Sequence, residues 1–191
     1  MTHLSIPEPF TQHESVVIVA DLLNPAHAEA TIHLLNHYSK DEMGGGQALP
    51  AFVQDNLIAE LLRRKEAHVL LAYSGQTPVG LAIMMLGFST FACMPLLNIH
   101  DVVVLNGYRG QGIAQKLLFK AEEIAQSLGC CKLTLEVLEG NKAAQSAYKL
   151  SGFAGYELNP QMGKALFWQK KLISNDGASA PVLTSTPIQA E

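Results

Sequence analysis

The sequence predicts a mixed α/β domain, one sheet flanked by helices, in the order strand, two helices, three strands, helix, strand, helix, two strands. Three observations predict it. Ile113, Leu117, Ala121, Ile124 and Leu128 recur at spacings of four, four, three and four, which is a helical period. Cys131, Leu133, Leu135 and Val137 alternate with Lys132, Thr134 and Glu136, which is a strand period. The uncharged stretch 79–99 is long enough to span a bilayer, but Gly80, Gly87, Ser89, Thr90, Pro95 and Asn98 break it. It reads as two buried strands joined by a loop.

The elements follow in order. Residues 16–20 are a short β-branched run, after which Asn24 and Pro25 supply an N-cap and a first-turn proline for a helix to about residue 40. A second helix, 49–65, carries Leu57, Ile58, Leu61 and Leu62 after a loop containing Gly44, Gly45 and Gly46. That loop follows no strand and precedes no Walker lysine, so it reads as a mobile connector. Residues 67–73 and 79–88 form a hairpin, and a third strand, 96–105, ends at Asn106 and Gly107. The strongest helix runs 110–128 and stops at Gly129; a strand at 131–137, a helix at 141–150 and strands at 153–158 and 165–171 complete the sheet.

With 191 residues and roughly 150 per domain, one domain with appendages is expected: an arm at 1–14, a domain at 15–173 and a flexible tail at 174–191. Hydrophobic residues are 48% and mean hydropathy is +0.15, so a core can form. Thirteen basic against seventeen acidic residues give a net charge of −4, without the basic footprint of nucleic-acid binding. The N-terminus shows neither a basic n-region nor an apolar h-region. Three cysteines, Cys93, Cys130 and Cys131, lack C-x-x-C spacing and fit a reducing cytoplasm. His33 and His37 lie one helical turn apart, but no carboxylate or cysteine completes a metal set, so no metal is expected.

The most informative segment is Arg109, Gly110, Gln111, Gly112, Ile113 and Ala114, between a strand and the long helix. A helix start offers unpaired N–H groups and partial positive charge, and glycines let an anion approach the backbone. By spacing alone the segment also reads as a glycine-containing helix cap. It is neither a P-loop nor a dinucleotide fingerprint.

Together with the downstream pattern Asn141, Ala144, Tyr148, Gly152 and Phe153, the segment resembles the GNAT superfamily of N-acetyltransferases. The resemblance implies a mixed, mostly antiparallel twisted sheet with helices on both faces. It implies acetyl-CoA as co-substrate, with its pyrophosphate on residues Arg109 to Ala114 and its pantetheine arm along Val102, Val103 and Val104. Asn141 would contact that arm, and Tyr148 would stand near its sulfur. A narrower likeness covers the middle of the chain: Phe88, Ser89, Thr90, Phe91, Pro95, Asp101, Val137, Leu138 and Asn141 are similar to spermidine/spermine and thialysine acetyltransferases. His100 stands where those enzymes carry an acidic residue.

An alkylammonium, with a pKa of about 10.4, needs a proton acceptor before it can attack at neutral pH. His100 is the leading candidate, because on a regular strand it shares a face with Val102 and Val104. Asp101 is second, and Glu136 third through a bridging water; a bulge in the strand would scramble this parity. A strand N–H near Val102 would stabilise charge on the thioester oxygen. Tyr148 would donate to the departing thiolate, its alternative role being a packed helix-face aromatic. The implied function is direct acetyl transfer to a small-molecule or peptide amine by a chain that can form a homodimer. Its rivals are a non-catalytic acyl-CoA sensor or partner-binding module of the same fold, and an acyltransferase taking longer chains. The net charge of −4 suits a cationic amine.

Overall fold

The computed structural model describes residues 14–157 and 159–172. The chain divides into two compact units, Met1–Gly155 and Tyr156–Glu191. In the first, five strands form one sheet in sequential order: β1 (Ser15–Val19), β2 (Ala67–Ser74), β3 (Thr77–Ser89), β4 (Met94–Val104) and β5 (Leu133–Leu135). The first three pairings are antiparallel, and β5 joins β4 in parallel. The uncharged stretch 79–99 thus lies within the β3–β4 hairpin. Among the described residues no helix is long and apolar enough to cross a membrane.

Alternation along the central strands sends side chains to two opposite cores. Val69 and Leu71 of β2, with Leu81 and Ile83 of β3, pack against Ala30 and Leu34 of α1 (Pro25–Lys40) and Leu61 of α2 (Ala51–Arg63). Leu70, Ala72, Ala82 and Met84 pack on the other side with Ile113, Leu117, Leu118, Ala121 and Ala125 of α3 (Ile113–Ser127). Burying one such side chain contributes about 1.5–3 kcal/mol, so each face is held by several mutually dependent contacts. Gly80 sets the spacing: a Cβ there would lie 3.1–3.2 Å from Ile113 Cγ2, Ala72 Cβ and Leu117 Cδ1. A side chain there would require Ile113, Ala72 or Leu117 to give by a few tenths of an ångström.

Helix α1 begins as expected, with the Asn24 side chain accepting from Ala26 N–H at 3.0 Å and Pro25 in the first turn. The buried stripe of α3 is wider than the expected one: Leu118 and Ala125 are inside together with Ile113, Leu117 and Ala121, Ile124 packs beside them, and only Leu128, the C-cap, is 36% exposed. Strand β5 has three residues rather than seven.

The two strands expected at 153–158 and 165–171 do not form among the described residues. Residue 158 lies outside them. The second unit's described part holds a 3-10 turn, Pro160–Met162, and a backbone bond from Ala165 N–H to the Tyr156 carbonyl at 3.3 Å. Aromatic and apolar residues such as Phe153, Tyr156, Phe167 and Trp168 favour a pleated surface, but a ladder also needs matched partners, and a lone ribbon does not hold itself together. The expected arm, 1–14, and tail, 174–191, lie outside the described residues except for Glu14.

Candidate active site

Strand β4 carries the site because its two edges part company. It pairs with β3 along its length, yet with β5 only through Leu97, Asn98 and Ile99 opposite Leu133, Thr134 and Leu135. Beyond Ile99, residues 100–104 continue with no strand on that edge among the described residues. Apart from the Val104 carbonyl, which accepts from Arg109, their edge amides and carbonyls are therefore available to an extended ligand.

At the point of parting the strand bulges. Ile83 faces Asp101 and Met84 faces Ile99, leaving His100 with no partner in β3. The bulge also shows in the core, where Ile99 and Val102, three apart rather than two, face α3. His100 is exposed, and the bulge removes the regular-strand parity on which its sharing a face with Val102 and Val104 rested. Asp101 keeps its expected face, with Val103 and toward α1. Burial pushes its carboxyl above the ordinary value, an effect the neighbouring His100 charge opposes.

Tyr148 comes from α4 (Lys142–Leu150) and packs on the α3-side core, its ring tilted 59° to Phe153 with centroids 6.0 Å apart. Burial, then the electrostatic influence of Tyr38 and of Asp101, pushes its phenol up to about 12. Tyr38, on α1, is raised by burial and by Asp101 and Asp41, and its hydroxyl donates to the Met43 carbonyl at 3.3 Å. Tyr38, Asp101 and Tyr148, from α1, β4 and α4, thus lie within electrostatic reach of one another. Tyr38 was not anticipated from the sequence, since a tyrosine on an amphipathic helix gives no signal of what lies across from it.

The turn before α3 is built for close approach. Gly110 and Gly112 both adopt φ +77°, and a Cβ at either would meet no protein atom within 4 Å. Gly112 is the N-cap of α3 and no side chain caps the helix, so its first N–H groups face outward unpaired. Ile113 contributes only backbone here, because its side chain is 2% exposed in the core. Val103 is likewise core, whereas Val102 and Val104 are partly buried. The Gln111 amide donates to the Gly107 carbonyl at 3.3 Å. Arg109 donates through Nε to the Val104 carbonyl at 3.1 Å and through Nη2 to Asp41 Oδ2 at 2.9 Å. Asn141 caps α4 with its Oδ1 accepting from Ala144 N–H at 3.1 Å, which leaves its amide nitrogen as the donor it can offer.

Glu136, one residue past β5, accepts from Asn98 Nδ2 at 3.4 Å, and Thr134 Oγ1 accepts from the same nitrogen at 2.9 Å. His33 is exposed and His37 half-buried on α1. Among the described residues no three His, Cys, Asp or Glu side chains gather as a metal set.

A five-stranded, mostly antiparallel sheet that splits beside a glycine-opened helix start, with helices on both faces, is a GNAT-like α/β fold. The chain belongs to the acetyltransferase (GNAT) family, which it matches over residues 32–153. It is 37% identical over 78 residues to the thialysine N-epsilon-acetyltransferase of Bos taurus, covering 41% of this chain and 45% of that one. It therefore spans less than half the length of that relative. The Caenorhabditis elegans enzyme of the same name is 27% identical over 130 residues, 66% of this chain and 76% of its own. Among solved structures, AAC(6')-Iy in complex with the bisubstrate analogue CoA-S-monomethyl-acetylneamine superposes with a TM-score of 0.65. It is 16% identical and covers 83% of this chain and 99% of that one, a likeness of fold.

Proposed function

We propose that this chain transfers an acetyl group from acetyl-CoA directly to an amine, and that the amine is a small cation. The observation carrying the proposal is the parting of β4 from β5 after Ile99, which leaves an open strand edge running past Asp101 toward the glycine turn before α3, with Tyr148 within electrostatic reach of Asp101. Family membership and the likeness to thialysine N-epsilon-acetyltransferases support it.

The residues present fit such a co-substrate, since the space over Gly110 and Gly112 is what a pyrophosphate needs. Acetyl-CoA supplies the acetyl group activated as a thioester. In this reading the first N–H groups of α3, from Ile113 and Ala114, and the guanidinium of Arg109 hold the phosphates. The backbone of Val102, Val103 and Val104 pairs with the pantetheine arm as a strand would, and the Asn141 amide adds a side-chain contact. A β4 N–H near Val102 donates toward the carbonyl oxygen.

Asp101 takes the leading role as proton acceptor for the incoming ammonium, displacing His100. It is the more buried of the two and lies within electrostatic reach of Tyr148. Its charge also attracts the cationic amine before transfer. Tyr148 keeps its proton at neutral pH, because its phenol is pushed up to about 12. Outright transfer to a thiolate of pKa about 8.5 is uphill by about 5 kcal/mol. Tyr148 therefore acts by hydrogen-bonding the developing sulfur charge rather than by releasing its proton.

The test is thiol release from acetyl-CoA on adding polyamines, thialysine, lysine, aminoglycosides or peptides. Amine-dependent release supports the transferase. Cofactor binding with no release from any amine would favour a sensor of the same fold.

A further inference from the structure

Asp41 lies 68 residues from Arg109 in sequence, yet the two are joined by an ion pair of 2.9 Å. Ion pairs such as those of Arg63 and Arg64 with Glu60 and of Lys120 with Glu123 instead join neighbours within one helical turn. The Asp41–Arg109 pair ties distant elements. It spans from the end of α1 to the turn that precedes α3.

We propose that Asp41 is a positioning residue for the co-substrate, holding the Arg109 guanidinium at the phosphate turn; this rests on reading that turn as the phosphate site. The Arg109 fork has five N–H donors. The Val104 carbonyl and Asp41 Oδ2 engage one at Nε and one at Nη2, leaving three, both of Nη1 among them, on a side chain that is 53% exposed. A long cationic side chain fixed by two contacts in advance loses less rotamer freedom when it meets an anion.

Asp41 is itself held from every side. Its Oδ1 accepts from Met43 N–H at 2.9 Å, and its carbonyl accepts from Gly44 and Gly46 N–H at 2.8 and 3.0 Å. Its own N–H donates to the Tyr38 carbonyl at 2.9 Å. The Met43 hydrogen bond and Arg109 hold its carboxyl below the ordinary range, so it is ionised at neutral pH.

The three glycines permit this turn. A Cβ on Gly44 would overlap the Tyr38 carbonyl, and Gly45 and Gly46 adopt φ +114° and +73°. The loop read from sequence as a mobile connector is instead a hydrogen-bonded turn that presents one carboxylate oxygen to Arg109. Because Met43 also accepts from the Tyr38 hydroxyl, a chain of contacts runs from Arg109 through Asp41 and Met43 to Tyr38, beside Asp101 and Tyr148.

The test is acetyl-CoA affinity by titration calorimetry for the wild type, Asp41→Asn, Arg109→Met and the double variant, with thermal melting of each. Asparagine keeps the acceptor for Met43 N–H and removes only the charge, so the turn survives. The expected result is a loss of about 3- to 10-fold for Asp41→Asn at an almost unchanged Tm, and a larger loss for Arg109→Met. In the Arg109→Met background Asp41→Asn should cost nothing more, which a general loosening of the fold would not produce. Unchanged or tighter binding by Asp41→Asn, or an equal loss in both backgrounds, overturns the proposal while leaving the phosphate turn in place. Wild-type affinity in Arg109→Met would instead overturn the phosphate assignment of Arg109 itself.

Discussion

Gly112→Ala, paired with Gly129→Ala, separates ligand space from backbone strain. Both glycines flank α3, Gly112 at φ +77° before it and Gly129 at φ +67° after it, and a methyl at either meets no protein atom within 4 Å. Each substitution therefore carries only the left-handed penalty, about 1 kcal/mol, which for a chain of this size lowers Tm by roughly 2–4 °C. Their effects on binding diverge. At Gly112 the methyl enters the space over the uncapped start of α3, and losing two charge-assisted N–H contacts to a phosphate costs about 3 kcal/mol, roughly 100-fold in affinity. Calorimetric titration with acetyl-CoA, alongside melting, reads both quantities. Gly129→Ala should bind as the wild type does. Equal affinity in the two variants would refute the phosphate site, and a Tm loss confined to Gly112→Ala would refute the claim that no protein atom is disturbed.

Tyr148→Phe keeps the ring contact with Phe153 and removes only the hydroxyl, so kcat should fall 10- to 1,000-fold with acetyl-CoA affinity changed less than about threefold; full activity would make Tyr148 a packing residue. Asp101→Asn should lower kcat/KM at least 10-fold, more than His100→Ala does, and a pH–rate profile in which only the His100 variant loses its acidic limb would restore His100 as the base. The same Asp101→Asn should raise Tm at pH 7: burial raises the folded carboxyl above its unfolded value, so its favourable contribution is complete below about pH 3.9 and lost as pH rises through the folded value. The gain should shrink as the pH approaches 4, and a Tm lowered at pH 7 would show that the ionised carboxylate is stabilising. Leu117→Ala, at a position fully buried between α3 and β3, should destabilise by about 2–5 kcal/mol in chemical denaturation, and a loss under 1 kcal/mol would mean that the core collapses around it.

What the sequence by itself determined is whatever neighbours along the chain decide. Asn24 and Pro25 start α1 where their chemistry places a helix start, and the helix ends at Lys40 as the pattern indicates. The period of α3 and the paired glycines before it are also local, since a helical stripe reflects contacts three and four residues apart and φ +77° suits glycine whatever surrounds it.

Only the tertiary structure decided the rest. The bulge at His100 exists because β3 pairs on both sides of it, and one extra residue breaks the parity that would set His100 on the face of Val102 and Val104. The meeting of Tyr38, Asp101 and Tyr148 requires α1, β4 and α4 to pack around one sheet edge. The grip of Asp41 on Arg109 crosses 68 residues. The strands expected at 153–158 and 165–171 show the limit most plainly: residues can favour a strand, but pairing energy belongs to two chain segments, and no single segment's pattern contains it.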